Sequence, residues 1–184
     1  MDKNYLLAFK KNIINLKKIL VITYYWPPSG GPGVQRVLKY CKYLPKYDWE
    51  PIILTVSEGD FPVLDESLGP EAEKFKIFKA KSFSFHKIFN FLNKKKNTPT
   101  FQLSSSNKDS LFVKLSRWIR LNIIIPDGRV GWFPQAVKKG NRIISQHKID
   151  AIFSSAPPYT THLIAKSLSL SNKIPWVADF RDPW

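Results

Sequence analysis

The fold of this chain is indicated most clearly by residues 18–23 (KILVIT) and by residues 24–33 (YYWPPSGGPG). The first stretch is a short apolar run rich in β-branched residues, which is typical of a buried strand. The second is a turn of prolines and glycines. Apolar residues then recur at helical spacing at Val34, Val37, Leu38, Cys41 and Leu44. Residues 49–55 (WEPIILT) predict a second strand, so this region predicts two parallel strands joined by a right-handed crossover helix.

The same alternation of strands and helices returns between residues 135 and 179. Residues 135–147 and 160–170 have helical periodicity, whereas residues 150–155 (DAIFSS) and 174–179 (IPWVAD) predict strands. Alternating strands and helices indicate an α/β fold with an open parallel sheet and helices on both of its faces. In such a sheet, ligands bind beyond the carboxyl ends of the strands.

Three segments follow predicted strands and should meet at that edge: residues 30–33 (GGPG), 154–159 (SSAPPY) and 179–182 (DFRD). Glycines have no β-carbon, so a ligand could approach the backbone of the first segment closely. The helix that follows directs its free amides and the positive end of its dipole toward the same place. The pattern favours a phosphate or a sugar hydroxyl as ligand. A tight turn without a ligand remains the simpler alternative.

The glycine-rich turn does not fit a dinucleotide-binding fingerprint. Residues 31–36 (GPGVQR) carry Arg36 where the third glycine belongs, and no acidic residue follows at the expected distance. This departure argues against a nucleotide-dependent oxidoreductase.

Positive charge is concentrated in the middle of the chain. The 184 residues contain 29 Lys and Arg against 14 Asp and Glu, for a net charge of +15. Residues 72–125 alone hold twelve basic and two acidic side chains. Within them, residues 85–92 and 111–122 predict basic amphipathic helices with Phe and Trp on the apolar side, which suit an anionic membrane surface. The alternative is that both apolar stripes pack on the core. No nucleic-acid-binding motif is present, so we expect no nucleic-acid partner.

Composition excludes several classes of protein. With 43% hydrophobic and 23% charged residues, the chain should fold as one domain. A single cysteine, Cys41, excludes an internal disulfide framework, and its place on a predicted apolar helix face predicts a buried, inert thiol. His86 and His147 have no metal ligand at suitable spacing, so we expect no metal site. The absence of a signal peptide or a long apolar run predicts a cytoplasmic protein.

Several side chains near the predicted edge allow two interpretations. Residues 24–26 (YYW) could stack on a sugar or simply pack. Asp179 and Asp182 flank Arg181, and they either form an ion-pair cluster with it or bind an acceptor hydroxyl. For His162 and for residues 132–133 (WF), we favour a structural role over ligand binding.

Two regions resemble bacterial family 4 glycosyltransferases. Residues 18–28 (KILVITYYWPP) with the glycine turn resemble the opening of these enzymes, and the stretch from residue 150 through 156–159 (APPY) to 179–184 (DFRDPW) resembles a subgroup of them. The resemblance covers the first two strands and most of residues 126–184, and it leaves the basic segment as a variable insertion.

This resemblance implies one half of a GT-B architecture, which pairs two Rossmann-like domains across a cleft. Residues 1–184 would form the N-terminal, acceptor-binding domain, with residues 72–125 as a basic helical insertion. Such enzymes transfer a hexose from a nucleotide-sugar with retention of configuration and without a metal or other cofactor. Many act on lipid-linked or polysaccharide acceptors at the cytoplasmic face of the membrane, in agreement with the basic segment. A non-catalytic module that binds the membrane surface is the alternative.

The sequence departs from the family pattern in two ways. No part of these residues matches the donor-binding domain with its paired glutamates, so we expect this chain alone to be inactive. It is either a fragment of a longer protein or it depends on a separate partner that supplies that domain. Arg181 stands where many family members have a histidine. Its guanidinium could stabilise a leaving diphosphate but cannot act as a base. The candidate catalytic residues are Arg181 and Asp182. The candidate substrate-binding residues are Tyr25, Gly30, Gly31, Gly33, Ser155, Pro157, Tyr159 and Asp179.

Overall fold

Five parallel strands form a single sheet in the computed structural model, which describes residues 16–83 and 125–181. The strands are β1 (Lys17–Ile22), β2 (Trp49–Val56), β3 (Lys76–Ala80), β4 (Ala151–Ala156) and β5 (Trp176–Phe180). Their order is β3-β2-β1-β4-β5, and every neighbouring pair is parallel. This order confirms the predicted open, Rossmann-like α/β sheet. The chain winds outward in both directions from β1, so the topological switch point, where ligands of such sheets bind, lies between β1 and β4.

Within residues 16–83 and 125–181, four α-helices connect or flank these strands. They are α1 (Pro32–Tyr43), α2 (Gly69–Ala72), α3 (Phe133–His147) and α4 (Thr160–Asn172), and single 3₁₀ turns occur at Leu44–Tyr47, Glu66–Leu68 and Val130–Trp132. The sequence predicts α1, α3 and α4 but not the one-turn helix α2. Within the described residues, none of these helices is both long enough and apolar enough to cross a bilayer.

The core consists of two apolar layers, one on each face of the sheet. Leu20 and Ile22 of β1 pack in the layer that includes residues of α3 and α4. Ile19 and Val21 point to the other face and pack in the layer that includes residues of α1. This alternation follows from the two-residue period of a strand. Since both layers are covered by helices, the prediction of helices on both faces is confirmed.

One aromatic side chain, that of Trp132, and one thiol, that of Cys41, are buried in these layers. Trp132 is fully buried, and its ring meets that of Tyr24 edge to face at 5.5 Å, so the structural role predicted for it is confirmed. Cys41 is also fully buried, as predicted. Loss of hydration raises the pKa of the Cys41 thiol to about 12, which leaves it protonated and unreactive near neutral pH.

The strand β3 differs from the sequence prediction. It lies within residues 72–125, which the sequence indicates only as a basic helical insertion, and it forms one edge of the sheet. Lys76 and Lys79 are exposed, whereas Phe78 is half-buried and Ala80 is buried. The lysines interrupt the apolar residues by which a strand is recognised in the sequence. Charged residues at a sheet edge also discourage edge-to-edge association of sheets. Residues 84–124, with both predicted amphipathic helices, lie outside the described residues.

Candidate functional site

The segments that follow β1, β4 and β5 are joined by side-chain contacts at the carboxyl edge of the sheet. Asp179 lies near the end of β5, and its two carboxylate oxygens accept separate bonds. Nη2 of Arg36, from α1, donates to Oδ1 at 2.7 Å, and the Ser155 hydroxyl, from β4, donates to Oδ2 at 2.9 Å. The Asp179 side chain is only 13% exposed. The geometry therefore places the three segments together, as the parallel sheet leads us to expect.

Arg181 extends this cluster toward the glycine-rich turn. It follows β5 directly, and its guanidinium lies so close to Gly33 that a β-carbon at that residue would overlap it. Gly33 thus allows Arg181 to approach the first turn of α1. Asp179, one of the two acids that flank Arg181 in the sequence, forms an ion pair with Arg36. Asp182 lies outside the described residues.

The three glycines of the turn have three different environments. A β-carbon at Gly30 would lie 2.9 Å from Cβ of Asp65, and one at Gly33 would overlap Arg181. At Gly31 no described atom would lie within 4 Å of a β-carbon, and the residue has a φ of 99°, which L side chains rarely adopt. The expectation that a ligand approaches the backbone therefore fits Gly31 but not Gly30 or Gly33, where protein side chains fill the space.

The N-terminus of α1 has no carboxylate from its own first turn. No side chain caps the helix at Gly31, and its first turn contains no acidic residue. The partial positive charge of a helix N-terminus therefore adds to the charges of Arg36 and Arg181. Asp179 offsets part of this charge through its bond to Arg36. The arrangement favours an anionic group or a hydroxyl oxygen as ligand.

The N-terminus of α4 is capped by Asp127, a residue that the sequence analysis did not single out. The Asp127 carboxylate accepts bonds from the backbone N–H and the hydroxyl of Thr160, both at 2.8 Å. It also accepts one from the backbone N–H of Arg129 at 2.8 Å. The only signal in the sequence is the Pro-Asp-Gly turn at residues 126–128, which predicts a bend but not its partner.

His162 has a structural role in the first turn of α4, as we favoured. Its Nδ1 lies 2.8 Å from the hydroxyl of Ser154, and the indole N–H of Trp176 donates to the same hydroxyl at 2.8 Å. The Ser154 hydroxyl therefore links the ring of His162 to that of Trp176. Burial lowers the pKa of His162, and the charge of Asp179 opposes this shift. His162 is therefore neutral near pH 7.

The aromatic residues after β1 differ in their access to solvent. Tyr24 and Trp26 are each 2% exposed, so the interpretation that they stack on a sugar is wrong and they belong to the core. Tyr25 is half-buried and packs edge to face against Tyr24 and Phe61. Pro157 and Tyr159, in the turn after β4, are also half-buried. These three side chains remain accessible in part to a ligand at this edge.

Neither a family model nor a curated protein matches this chain. The solved structures similar to it include the C-terminal domain of a hydrogenase from Pyrococcus furiosus, in two forms. One is 15% identical with a TM-score of 0.44 over 89% of this chain and 91% of that one. The other is 13% identical with a TM-score of 0.46 over 90% and 92%.

Tyrosyl-tRNA synthetase from Archaeoglobus fulgidus, in complex with L-tyrosine, is 12% identical with a TM-score of 0.37. That match covers 96% of this chain and 59% of the synthetase. At these TM-scores the likenesses carry no argument about function, and the fold is established by the strand order of the sheet. Among the described residues, no group of three His, Cys, Asp or Glu side chains could hold a metal ion.

Proposed function

We propose that this chain is the acceptor-binding half of a retaining glycosyltransferase of the hexosyltransferase type. It would bind a lipid-linked or polysaccharide acceptor, onto which a sugar is transferred from a nucleotide-sugar. The reaction would take place in the cytoplasm at the inner face of the membrane. The resemblance of residues 18–33 and 150–184 to family 4 enzymes supports this proposal. The observation that carries it is the link from Arg36 through Asp179 to Ser155, which brings these regions together at the ligand-binding edge of the sheet.

In this proposal Arg181 supplies positive charge to the reaction. When the donor's sugar–phosphate bond breaks, negative charge develops on the departing diphosphate, and a guanidinium beside a helix N-terminus stabilises it. Asp179 holds Arg36 and Ser155 in place, since both of its carboxylate oxygens are already bonded. Asp182 would bind the acceptor hydroxyl.

Acceptor binding would involve the partly exposed groups around this cluster. The open backbone at Gly31 and the half-buried rings of Tyr25 and Tyr159 offer, respectively, an amide surface and flat apolar faces suited to a sugar. The nucleotide-sugar would be bound by a separate donor-binding domain, which this proposal requires as a partner. It requires no metal or other cofactor.

Transfer activity tests the proposal. The protein extended through whatever its gene encodes after residue 184 would be assayed with labelled nucleotide-sugars and a lipid extract as acceptor source. We expect transfer, and we expect Arg181→Ala to lower kcat on the order of 100-fold, the usual cost of removing one group that stabilises developing charge. Lys173→Ala, which removes an exposed charge at the end of α4, is the control and should leave kcat unchanged.

Two results would contradict this function. Normal turnover by Arg181→Ala would remove the proposed role of that residue. Binding of a nicotinamide dinucleotide to the 184-residue chain, with no transfer from any nucleotide-sugar, would favour an oxidoreductase instead.

A further inference from the structure

A second feature of the carboxyl edge is a basic groove between the end of β3 and the exposed side of α3. Its volume is about 530 Å³. Lys79 and Lys81 line the wall formed by the end of β3, and Lys138, Lys139 and Arg142 line the wall formed by α3. No carboxylate lines the groove. Five positive charges thus face one cleft without a compensating acid in its lining.

The two walls are fixed relative to each other by the backbone. Ser57 N–H donates to the carbonyl of Ala80 at 2.9 Å, and Phe83 N–H donates to the carbonyl of Gly131 at 3.1 Å. Gly131 lies directly against the backbone of Phe83, since a β-carbon there would overlap the Phe83 carbonyl. The end of β3 is therefore attached to the turn that precedes α3. The backbone thus holds the two walls of the groove in place.

The cations of the groove form no ion pair with a carboxylate of the described residues. Among the described residues, the ion pairs of the protein involve Arg36, Lys39, Lys42 and Arg129, none of which lines the groove. Prevention of edge-to-edge association of sheets accounts for the lysines on β3 but not for Lys138, Lys139 and Arg142 on a helix. Lys139 lies over the ring of Phe78 at 5.8 Å. Like charges gathered at one place without acidic partners favour an anionic ligand.

We propose that this groove binds the phosphate groups of anionic lipid headgroups and docks the carboxyl edge of the sheet on an anionic bilayer. Four to eight Lys and Arg side chains in one cluster are typical of such binding. Phe83 lines the groove as well and is 58% exposed. Three of the five cations belong to α3, so this site differs from the predicted membrane helices and does not depend on glycosyl transfer.

Sedimentation with lipid vesicles tests this inference on the full 184-residue chain. One set of vesicles is pure phosphatidylcholine, and the other contains about one third phosphatidylglycerol. Each basic side chain near an anionic surface changes the partition coefficient roughly fivefold. We therefore expect the triple variant K138Q/K139Q/R142Q to bind the anionic vesicles on the order of 100-fold more weakly, and K79Q/K81Q roughly 25-fold more weakly.

The control is K46Q/K166Q/K173Q, which lowers the net charge by the same amount at exposed positions outside the groove. It should bind nearly as well as the unchanged chain, and high salt should weaken binding of both. Equal losses in the two triple variants would show that overall charge, not the groove, attracts the membrane. Equal binding to both kinds of vesicle, or tighter binding to a single-stranded oligonucleotide than to anionic vesicles, would also overturn the proposal.

Discussion

The helices α1 and α4 begin at the same edge of the sheet, after the adjacent strands β1 and β4, but their N-termini have opposite electrostatic surroundings. The first turn of α4 is bonded to the carboxylate of Asp127. The first turn of α1 has no side-chain cap and no acidic residue, Arg181 lies against it, and Arg36 follows in the next turn. The N-terminus of each helix carries a partial positive charge that attracts anions. The protein places its own carboxylate at the N-terminus of α4 and cations at that of α1.

This difference indicates which of the two helix N-termini suits an anionic ligand better. A negative group placed at α4 would have to compete with Asp127, which already accepts three hydrogen bonds. At α1 an anion would meet the helix N-terminus and two guanidinium groups. Fold class alone favours the crevice between β1 and β4 for a ligand. The difference between the two N-termini favours the α1 side of that crevice for an anion.

Removing the carboxylate that caps α4 should have the largest effect. Asp127→Ala leaves the N–H and hydroxyl of Thr160 without their partner, so we expect the free energy of unfolding to fall by about 2–3 kcal/mol. Denaturant unfolding followed by circular dichroism measures it. Asp65→Ala is the control, because Asp65 caps only the exposed turn Glu66–Leu68 and should cost less than about 1 kcal/mol. Equal losses would show that the α4 cap has no special weight.

Exchanging glycines in the turn tests the α1 side of the comparison. Gly31→Ala places a β-carbon on a residue with φ 99° and ψ 165°, a conformation almost restricted to glycine, and should cost about 2 kcal/mol. Gly33→Ala overlaps only the flexible end of Arg181, and alanine favours the helix by about 1 kcal/mol, so stability should change little.

Transfer activity should reveal a role of Gly33 that stability does not. Gly33→Ala displaces the guanidinium of Arg181 and should lower kcat toward that of Arg181→Ala. If Gly33→Ala keeps full activity, the contact between Arg181 and α1 has no part in the reaction.

The sequence predicts most of the fold because its signals are local. Strands β1, β2, β4 and β5 are apolar and sufficiently long, and the observed bounds differ from the predicted ones by at most two residues. β3 is missed because its sequence, KIFKA, is short and carries two lysines. Helix α3 begins at Phe133, two residues before the predicted start, with Pro134 in its first turn, where proline is favoured.

The candidate site is less predictable because it depends on pairs of distant residues. Strand order predicts which segments meet, but not that Arg36 binds Asp179, 143 residues away in sequence. The sequence also shows three similar glycines, whereas only the packing reveals that Gly33 adjoins Arg181 and Gly30 adjoins Asp65. Periodicity identifies buried faces, and it contains no information about which polar groups on neighbouring loops form bonds.

The ion pair on the α1 side should contribute less than the cap of α4. A double-mutant cycle with Arg36→Ala and Asp179→Asn measures the coupling between the two side chains, and we expect about 1 kcal/mol. Arg36 is 43% exposed, and this exposure limits the value through solvent screening. The pair Lys39 and Glu71 on the outer side of α1 is the control and should couple more weakly, since Glu71 also contacts Lys42. A coupling near zero for Arg36 and Asp179 would leave Ser155 as the effective partner of Asp179.

The smallest effect should be a change in the acid sensitivity of folding at His162, which lies in the first turn of α4. Burial lowers the pKa of His162 in the folded protein, against the opposing charge of Asp179, whereas the unfolded chain has the ordinary value of about 6.5. The unfolded state therefore binds a proton first as the pH falls. The stability contributed by neutral His162 is complete above pH 6.5 and is lost as the pH falls through the folded pKa.

Replacement of this histidine isolates its contribution. His162→Asn keeps a side chain that can both donate to and accept from the Ser154 hydroxyl but cannot titrate, so its free energy of unfolding should fall less between pH 8 and pH 5 than that of the unchanged protein. His147→Asn is the control: burial also lowers the pKa of His147, but Lys76 and Lys18 contribute, so salt should weaken that effect. Because desolvation is not screened, the His162 difference should persist at high salt. Its disappearance there would mean that charge, not burial, keeps the ring at α4 neutral.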